Sequence, residues 1–347
     1  MNKFLGLALG CLILVACSPG GSSRRIPMAT IPVLVQPQTS LVEYRDSLAV
    51  LPFGDTNDRF ANNVASEIET NLNQVRQNNT LYFTLINRTK IFDVLRELRL
   101  TQSGLVDDQT ASQIGRLVGA KALLVGDYTV GDFQDRNITE ERTDYSNDKR
   151  VCKKYDAKNQ CVSWEYRKYN VSCRTRQGTF TLRPKVVSVE RGTVVYSKAI
   201  RQSTNTKFCE DQQTGGLATV SELVDGMLST SVATISRDIA PYVVNEELPF
   251  IEVTTGMNEA DAKTYADGLG FVLASLPRVE RACAVWGSLY PRVSTFTILH
   301  ALGVCAEVDG NLQLALDFYS KADVATTTPI AEISGALQRI KRKLGTK

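Results

Sequence analysis

Eight cysteines, a single histidine and the adjacent carboxylates Asp107 and Asp108 are the residues of this 347-residue chain whose types could do chemistry. Nucleophilic triads and most proton shuttles use histidine. The only one, His300, falls inside a helical pattern, where a surface or groove-lining place is expected for it. Asp107 and Asp108 have the look of a paired acid–base site, yet they stand just before a helical run and cap it without any reaction. No phosphate-cradling glycine loop follows a strand, since Gly115 to Gly119 belongs to a helix and its end. No catalytic residue, enzymatic activity or cofactor is therefore expected. Six cysteines, Cys152, Cys161, Cys173, Cys209, Cys283 and Cys305, form an even set in a chain that opens on an export signal, which favours disulfides over metal ligands. None forms a CxxC pair and His300 is far from the first four, so no metal site is expected. The sequence does not fix their pairing. The most economical set is Cys152 to Cys161, Cys173 to Cys209 and Cys283 to Cys305.

Cys17 is a different case. Lys3 and the apolar run Phe4 to Ala16 have the length of a signal-peptide core and are too short to span a bilayer. Leu14-Val15-Ala16-Cys17 resembles the lipobox of bacterial lipoproteins. That resemblance implies cleavage after residue 16 and acylation of Cys17, with palmitate-type chains that each contribute roughly 0.8 kcal/mol per buried CH₂. Ser18 stands where lipoproteins retained in the inner membrane carry Asp, which implies an outer-membrane anchor facing the periplasm. Removal of Lys3 leaves a net charge of about +2, a balance that gives no reason to expect nucleic acid as a partner.

The elements that would carry these residues follow from periodicity. Residues 17–44 are rich in Ser, Gly and Pro around Arg24-Arg25 and read as a lipid-anchored flexible tether. Leu48 to Phe53 is a near-continuous apolar strand suited to burial on both faces. Phe60, Val64, Ile68, Leu72 and Val75 recur at helical spacing. A second strand is expected over Tyr82 to Ile86, then a helix capped by Thr89 and another capped by Asp107 or Asp108, with Gly119 at its end. Lys121 to Tyr128 is the next strand. The order β-α-β-α-α-β describes an α/β (α+β) domain.

Residues 133–177 change character to alternating charge, and Cys152 and Cys161 flank a polar loop. Val162, Trp164 and Tyr166 alternate, and Tyr169, Val171 and Cys173 resume one residue out of phase, so an inserted, disulfide-tied β-hairpin is expected. Trp164, Tyr166 and Tyr169 beside Arg167 and Lys168 suit a glycan or an unfolded segment, but a strand face closing over a disulfide is the expected arrangement. A hairpin over Phe180 to Ile200 turns at Gly192, and Thr219 with Glu222 forms a capping box for a helix ended by Pro241. Residues 250–347 then read as a small all-α domain. Leu299, His300, Gly303, Ala306, Ala315 and Tyr319 lie in what reads as one tetratricopeptide-like repeat. Small residues there let paired helices approach, and the six are candidates to line its groove.

Several of these segments together resemble the curli assembly/transport lipoprotein (CsgG-like) family over residues 45–245. They are Leu48–Phe53, Leu85 to Arg88, Ile91 to Glu97, Ser103 to Asp107, Ala111 to Gly126 and Val186 to Gly192. The resemblance implies a lipid-anchored periplasmic α/β domain at the outer membrane. It also implies, for the curli member, a ring whose subunits each add strands to a secretion pore. Three departures speak against carrying the pore over. Gly54 to Asp58 is too short for that channel's constriction loop and lacks its aromatic and Asn pattern. Residues 133–177 and the second candidate span, Arg201 to Leu217, carry many charges. An Arg or Lys at the midplane of a lipid face costs roughly 2–4 kcal/mol.

The leading expectation is thus an outer-membrane-anchored periplasmic lipoprotein acting as an assembly or interaction module of an envelope machine. Its partners would be envelope proteins, the membrane through its acyl chains, and further copies of itself in a homo-oligomer. A CsgG-type channel and an activator of a cell-wall synthase are the alternatives.

Overall fold

Leu48-Ala49-Val50 buries all three side chains, and this triplet decides the layering of the larger unit. The computed structural model describes residues 26–345 apart from 56–57, 78, 98–107 and 213. The expected signal peptide 1–16, Cys17, the start of the tether and Asp107 lie outside the described residues. The chain divides into two units, Val35–Val243 and a second made of the chain up to Leu34 with Val244–Lys347.

In the first unit, β2 (Leu48–Val50) pairs in parallel with β5 (Ala122–Val130), and β5 pairs antiparallel with β9 (Lys168–Ser188). Because side chains alternate across a strand, Leu48, Val50, Ala122 and Leu124 face one way and Ala49, Leu51, Leu123 and Val125 the other. The first set packs against α1 (Arg59–Leu72) and α4 (Val220–Ile239) through Val64, Ile68, Leu228, Val232 and Ile235. The second packs against α2 (Arg88–Glu97) and α3 (Asp108–Val118) through Ile91, Leu95, Ala111 and Ile114. The result is a sheet covered by helices on both faces, the arrangement a continuous apolar strand requires.

Local signals set the helix ends. Asp58 caps α1 by accepting from the Phe60 amide at 2.8 Å, and Thr219 and Glu222 form the expected capping box of α4. Gly119 takes φ +77° at the end of α3. Two expectations are corrected. The Asn87 side chain, rather than Thr89, accepts the amide at the start of α2 (2.8 Å). The expected strand Tyr82–Ile86 contributes only a parallel bridge from Leu85 to Leu48, beside a two-residue pair of β3 (Arg76–Gln77) and β4 (Thr80–Leu81). Tyr82 and Phe83 are buried in the core as a loop would bury anchors, without ladder partners.

The long strand β9, 21 residues, reaches about 70 Å at the usual strand rise. Its second half lies in the covered sheet beside β10 (Val194–Ser197). Its first half forms a three-stranded ribbon with β6 (Gln134–Thr143) and β11 (Ile200–Cys209). The small hairpin of β7 (Arg150–Tyr155) and β8 (Cys161–Tyr166) joins β6 to β9. Arg167, which lies in neither strand, separates β8 from β9, and this break is the phase change visible in the sequence.

The second unit holds β1 (Met28–Val35) paired with β12 (Tyr242–Pro249). Its helices are α5 (Glu259–Val272), α6 (Val279–Leu289), α7 (Phe296–Val308), α8 (Leu312–Val324) and α9 (Ala331–Leu344). The strand β1 corrects the expected tether over 17–44. Ala29, Ile31 and Val33 alternate into the helical core, and the exposed Pro32 between them costs no burial.

Candidate functional site

In the ribbon, register decides what each face can contact. One face carries Asp135, Asn137, Thr139 and Glu141 of β6, Ser172, Arg174 and Arg176 of β9, and Thr204, Thr206 and Phe208 of β11. The other carries Arg136, Ile138, Glu140 and Arg142, then Val171, Cys173 and Thr175, then Asn205 and Lys207. Neither face is apolar. Ion pairs span both. Arg176 donates to both carboxylate oxygens of Asp135 at 2.7 Å on the first face. Lys207 and Arg142 converge on Glu140 on the second, and Arg142 also reaches Asp211 at 3.7 Å. The hydrogen bond from Arg176 holds the Asp135 carboxyl below the usual range, and the one from Lys207 does the same for Glu140. A cavity of about 590 Å³ opens over the first face, lined by Asn137, Thr139, Ser172, Arg174, Phe208 and Leu217. Sequence reasoning missed it, because it is made by register between strands far apart in the chain, with Glu210, Gly216 and Leu217 completing the lining.

All six cysteines of the expected set are paired, Cys152 with Cys161, Cys173 with Cys209 and Cys283 with Cys305. Cys173 and Cys209 sit directly opposite each other in the ribbon register, so the bridge closes the β9–β11 ladder. Among the described residues the one grouping with metal-ligand chemistry is Glu140 with Cys173 and Cys209. Their sulfurs are bonded to each other, which leaves no thiolate to offer a metal.

The hairpin face does not close over its disulfide. Trp164 is 55% exposed, with the Arg150 guanidinium 5.6 Å above its ring, and Val162 and Tyr155 are also exposed. Tyr145 meets Tyr166 edge to face at 5.2 Å. Two strands alone have no second layer to bury these rings against.

In the helical unit the six groove candidates prove to be core. Leu299, His300, Gly303, Ala306, Ala315 and Tyr319 are all buried where α7 packs on α8. Gly303 is the seat of the Tyr319 ring, since a Cβ there would lie 2.5 Å from it. His300 lies beside Tyr319 with ring centroids 5.4 Å apart and the planes tilted by 50°, and neither of its nitrogens has a partner among the described residues. Sequence periodicity also missed the buried ionic centre next to it. Glu307, fully buried, accepts from Tyr319 Oη at 2.9 Å, from Arg339 at 2.8 and 2.9 Å and from Lys343 at 3.0 Å. Lys343 reaches on to Glu246 at 2.7 Å, which ties α7, α8, α9 and β12 together. Burial pushes the Glu307 carboxyl up, but the Arg339 and Lys343 charges outweigh it and hold it below the usual range.

The family model for the curli production assembly/transport component CsgG matches residues 56–226. Over that span the chain is similar to the CsgG family. The match runs from α1 into α4 and so takes in the whole ribbon and hairpin. No repeat family matches the helices that follow, and no curated protein matches the chain. Among the described residues no helix is long and apolar enough to cross a membrane.

Proposed function

We propose that this chain is an assembly module of a curli-type envelope machine, held at the outer membrane by acyl groups on Cys17 and working in the periplasm without catalysis. The single observation that carries the non-pore reading is the polarity of both ribbon faces. A barrel wall shows lipid one continuous apolar face, and here the two faces carry Asp135, Arg174 and Arg176 on one side and Arg136, Glu140, Arg142 and Lys207 on the other. Partner binding rests on the ribbon's margins. Each of β6 and β11 pairs only with β9 among the described residues, so each has one open edge ten residues long. An open edge is a template for a strand of another chain, including a second copy of this one. Cross-linking across the β6 and β11 edges of detergent-solubilised protein is expected to trap a neighbour. A monomer that traps none at any stoichiometry overturns the reading.

A channel is the second reading, and strand length favours it. Ten residues is the length a tilted membrane strand needs, and β6 and β11 both have it. Planar-bilayer recordings separate the two: the assembly module gives no conductance, and discrete openings that scale with protein establish the channel.

A further inference from the structure

We infer that the β7–β8 hairpin is a membrane-surface contact that recognises anionic phospholipid headgroups. Residues 144–168 hold seven Lys and Arg against four Asp and Glu. That excess of three equals the formal net charge of the full sequence and exceeds the charge of about +2 left without Lys3, so the basic surplus is concentrated here. The same segment presents Tyr145, Val151, Tyr155, Val162 and Trp164, each more than half exposed. Large apolar side chains left exposed close together in the chain mark a contact site. Trp and Tyr rings with Lys and Arg between them suit the headgroup layer, where the ring body leaves water while its polar tip and the cations stay hydrated.

The register sorts those groups by face, with Val151 and Tyr155, opposite Glu165 and Cys161, on the side away from Trp164. Val162, Trp164 and Tyr166 lie on one face of β8, and Arg150 stands over the Trp164 ring. The Cys152–Cys161 bridge holds the two strands in place of a second layer. Docking of this kind leaves the charges in water. It is therefore compatible with a ribbon that stays outside the hydrocarbon, and it does not depend on acylation of Cys17.

Intrinsic fluorescence tests it on the intact chain. There are two tryptophans, and Trp286 is fully buried with its Nε1 donating to the Tyr265 carbonyl at 3.2 Å. A change on adding vesicles therefore reports Trp164, and Trp164→Phe must abolish it. The expected result is a blue shift with phosphatidylcholine–phosphatidylglycerol vesicles, none with phosphatidylcholine alone, and reversal by high salt. Lys153→Gln and Lys154→Gln, both on exposed side chains, are each expected to lower the docking constant about 5-fold, the effect of about 1 kcal/mol per basic residue near an anionic surface. An equal shift on both vesicles overturns the headgroup recognition. Protein that sediments with vesicles while Trp164 emission stays unshifted overturns the inference and leaves the acyl anchor standing. A shift evoked by an acidic polypeptide and by neither vesicle assigns the hairpin to a protein partner instead.

Discussion

His300 lies wholly inside the helical unit with no hydrogen-bond partner on either nitrogen among the described residues, and that has a consequence for stability. Burial, with the Arg339 charge nearby, holds its pKa down at about 3, against about 6.5 in an unfolded chain. The unfolded state therefore binds a proton that the folded state refuses, and stability falls as pH drops from 6.5 towards 3. At pH 5 the loss is about 2 kcal/mol. The depressed carboxyl of Glu307 adds its own loss only as pH falls through the ordinary carboxylate range and below. The raised carboxyls of Glu69 and Asp309 act in the opposite sense, so the slope of denaturant midpoints between pH 5 and 6.5 is read against a variant that lacks the histidine. His300→Leu is expected to flatten that slope, and a slope that survives the substitution contradicts the assignment. Glycines give a second test by sign. Gly303→Ala drives a methyl into the Tyr319 ring and is expected to cost about 1–3 kcal/mol. Gly335→Ala, with open space around it in α9, is expected to stabilise by about 0.5–1 kcal/mol through helix propensity. The small residues at 303, 306 and 315 were legible as a close helix pair. That the flanking histidine faces the pair's interior, beside a carboxylate brought from Glu307 and cations from α9, depends on contacts a period does not encode.

Among the elements, the apolar runs and caps that decide helix and strand locally were readable. The strand at Leu48, the turn at Gly192, the capping box at Thr219 and the three economical cysteine pairs all stand in the structure. What failed was non-local. Pro32 and the surrounding polar composition hid β1, whose Ala29, Ile31 and Val33 become a strand only because β12 supplies a ladder more than two hundred residues on. The 590 Å³ cavity likewise exists only once β6, β9 and β11 are in register. The two bridges of the first unit differ in what they hold. Reducing Cys152–Cys161 is expected to speed amide exchange in β7 and β8, which have no other layer, and to leave β9 protected. Reducing Cys173–Cys209, which closes a separation of 36 residues, is expected to lower global stability by about 2–5 kcal/mol. Exchange mass spectrometry with either cysteine pair replaced by Ser distinguishes local from global opening. Uniform loss of protection in the Cys152/Cys161 variant contradicts the independence of the hairpin.

For the whole molecule, the region similar to the CsgG family supplies a helix-covered sheet from which β9 runs out into a charged ribbon and an aromatic, basic hairpin. A barrel with this ribbon as its wall must hide one face from water and show the other to its lumen. An assembly module leaves both in contact with solvent. Lys168 and Lys207 report the two faces separately, since Lys168 shares its face with Ser172 and Arg174, and Lys207 lies opposite Thr175 on the other. Both are about half exposed in the isolated chain. The deciding measurement is labelling of protein in intact outer-membrane vesicles by a water-soluble, membrane-impermeant amine reagent admitted to both sides, followed by peptide mass spectrometry at these two lysines. Comparable modification of Lys168 and Lys207 is the predicted result; strong modification of one with protection of the other, restored by detergent, contradicts the account.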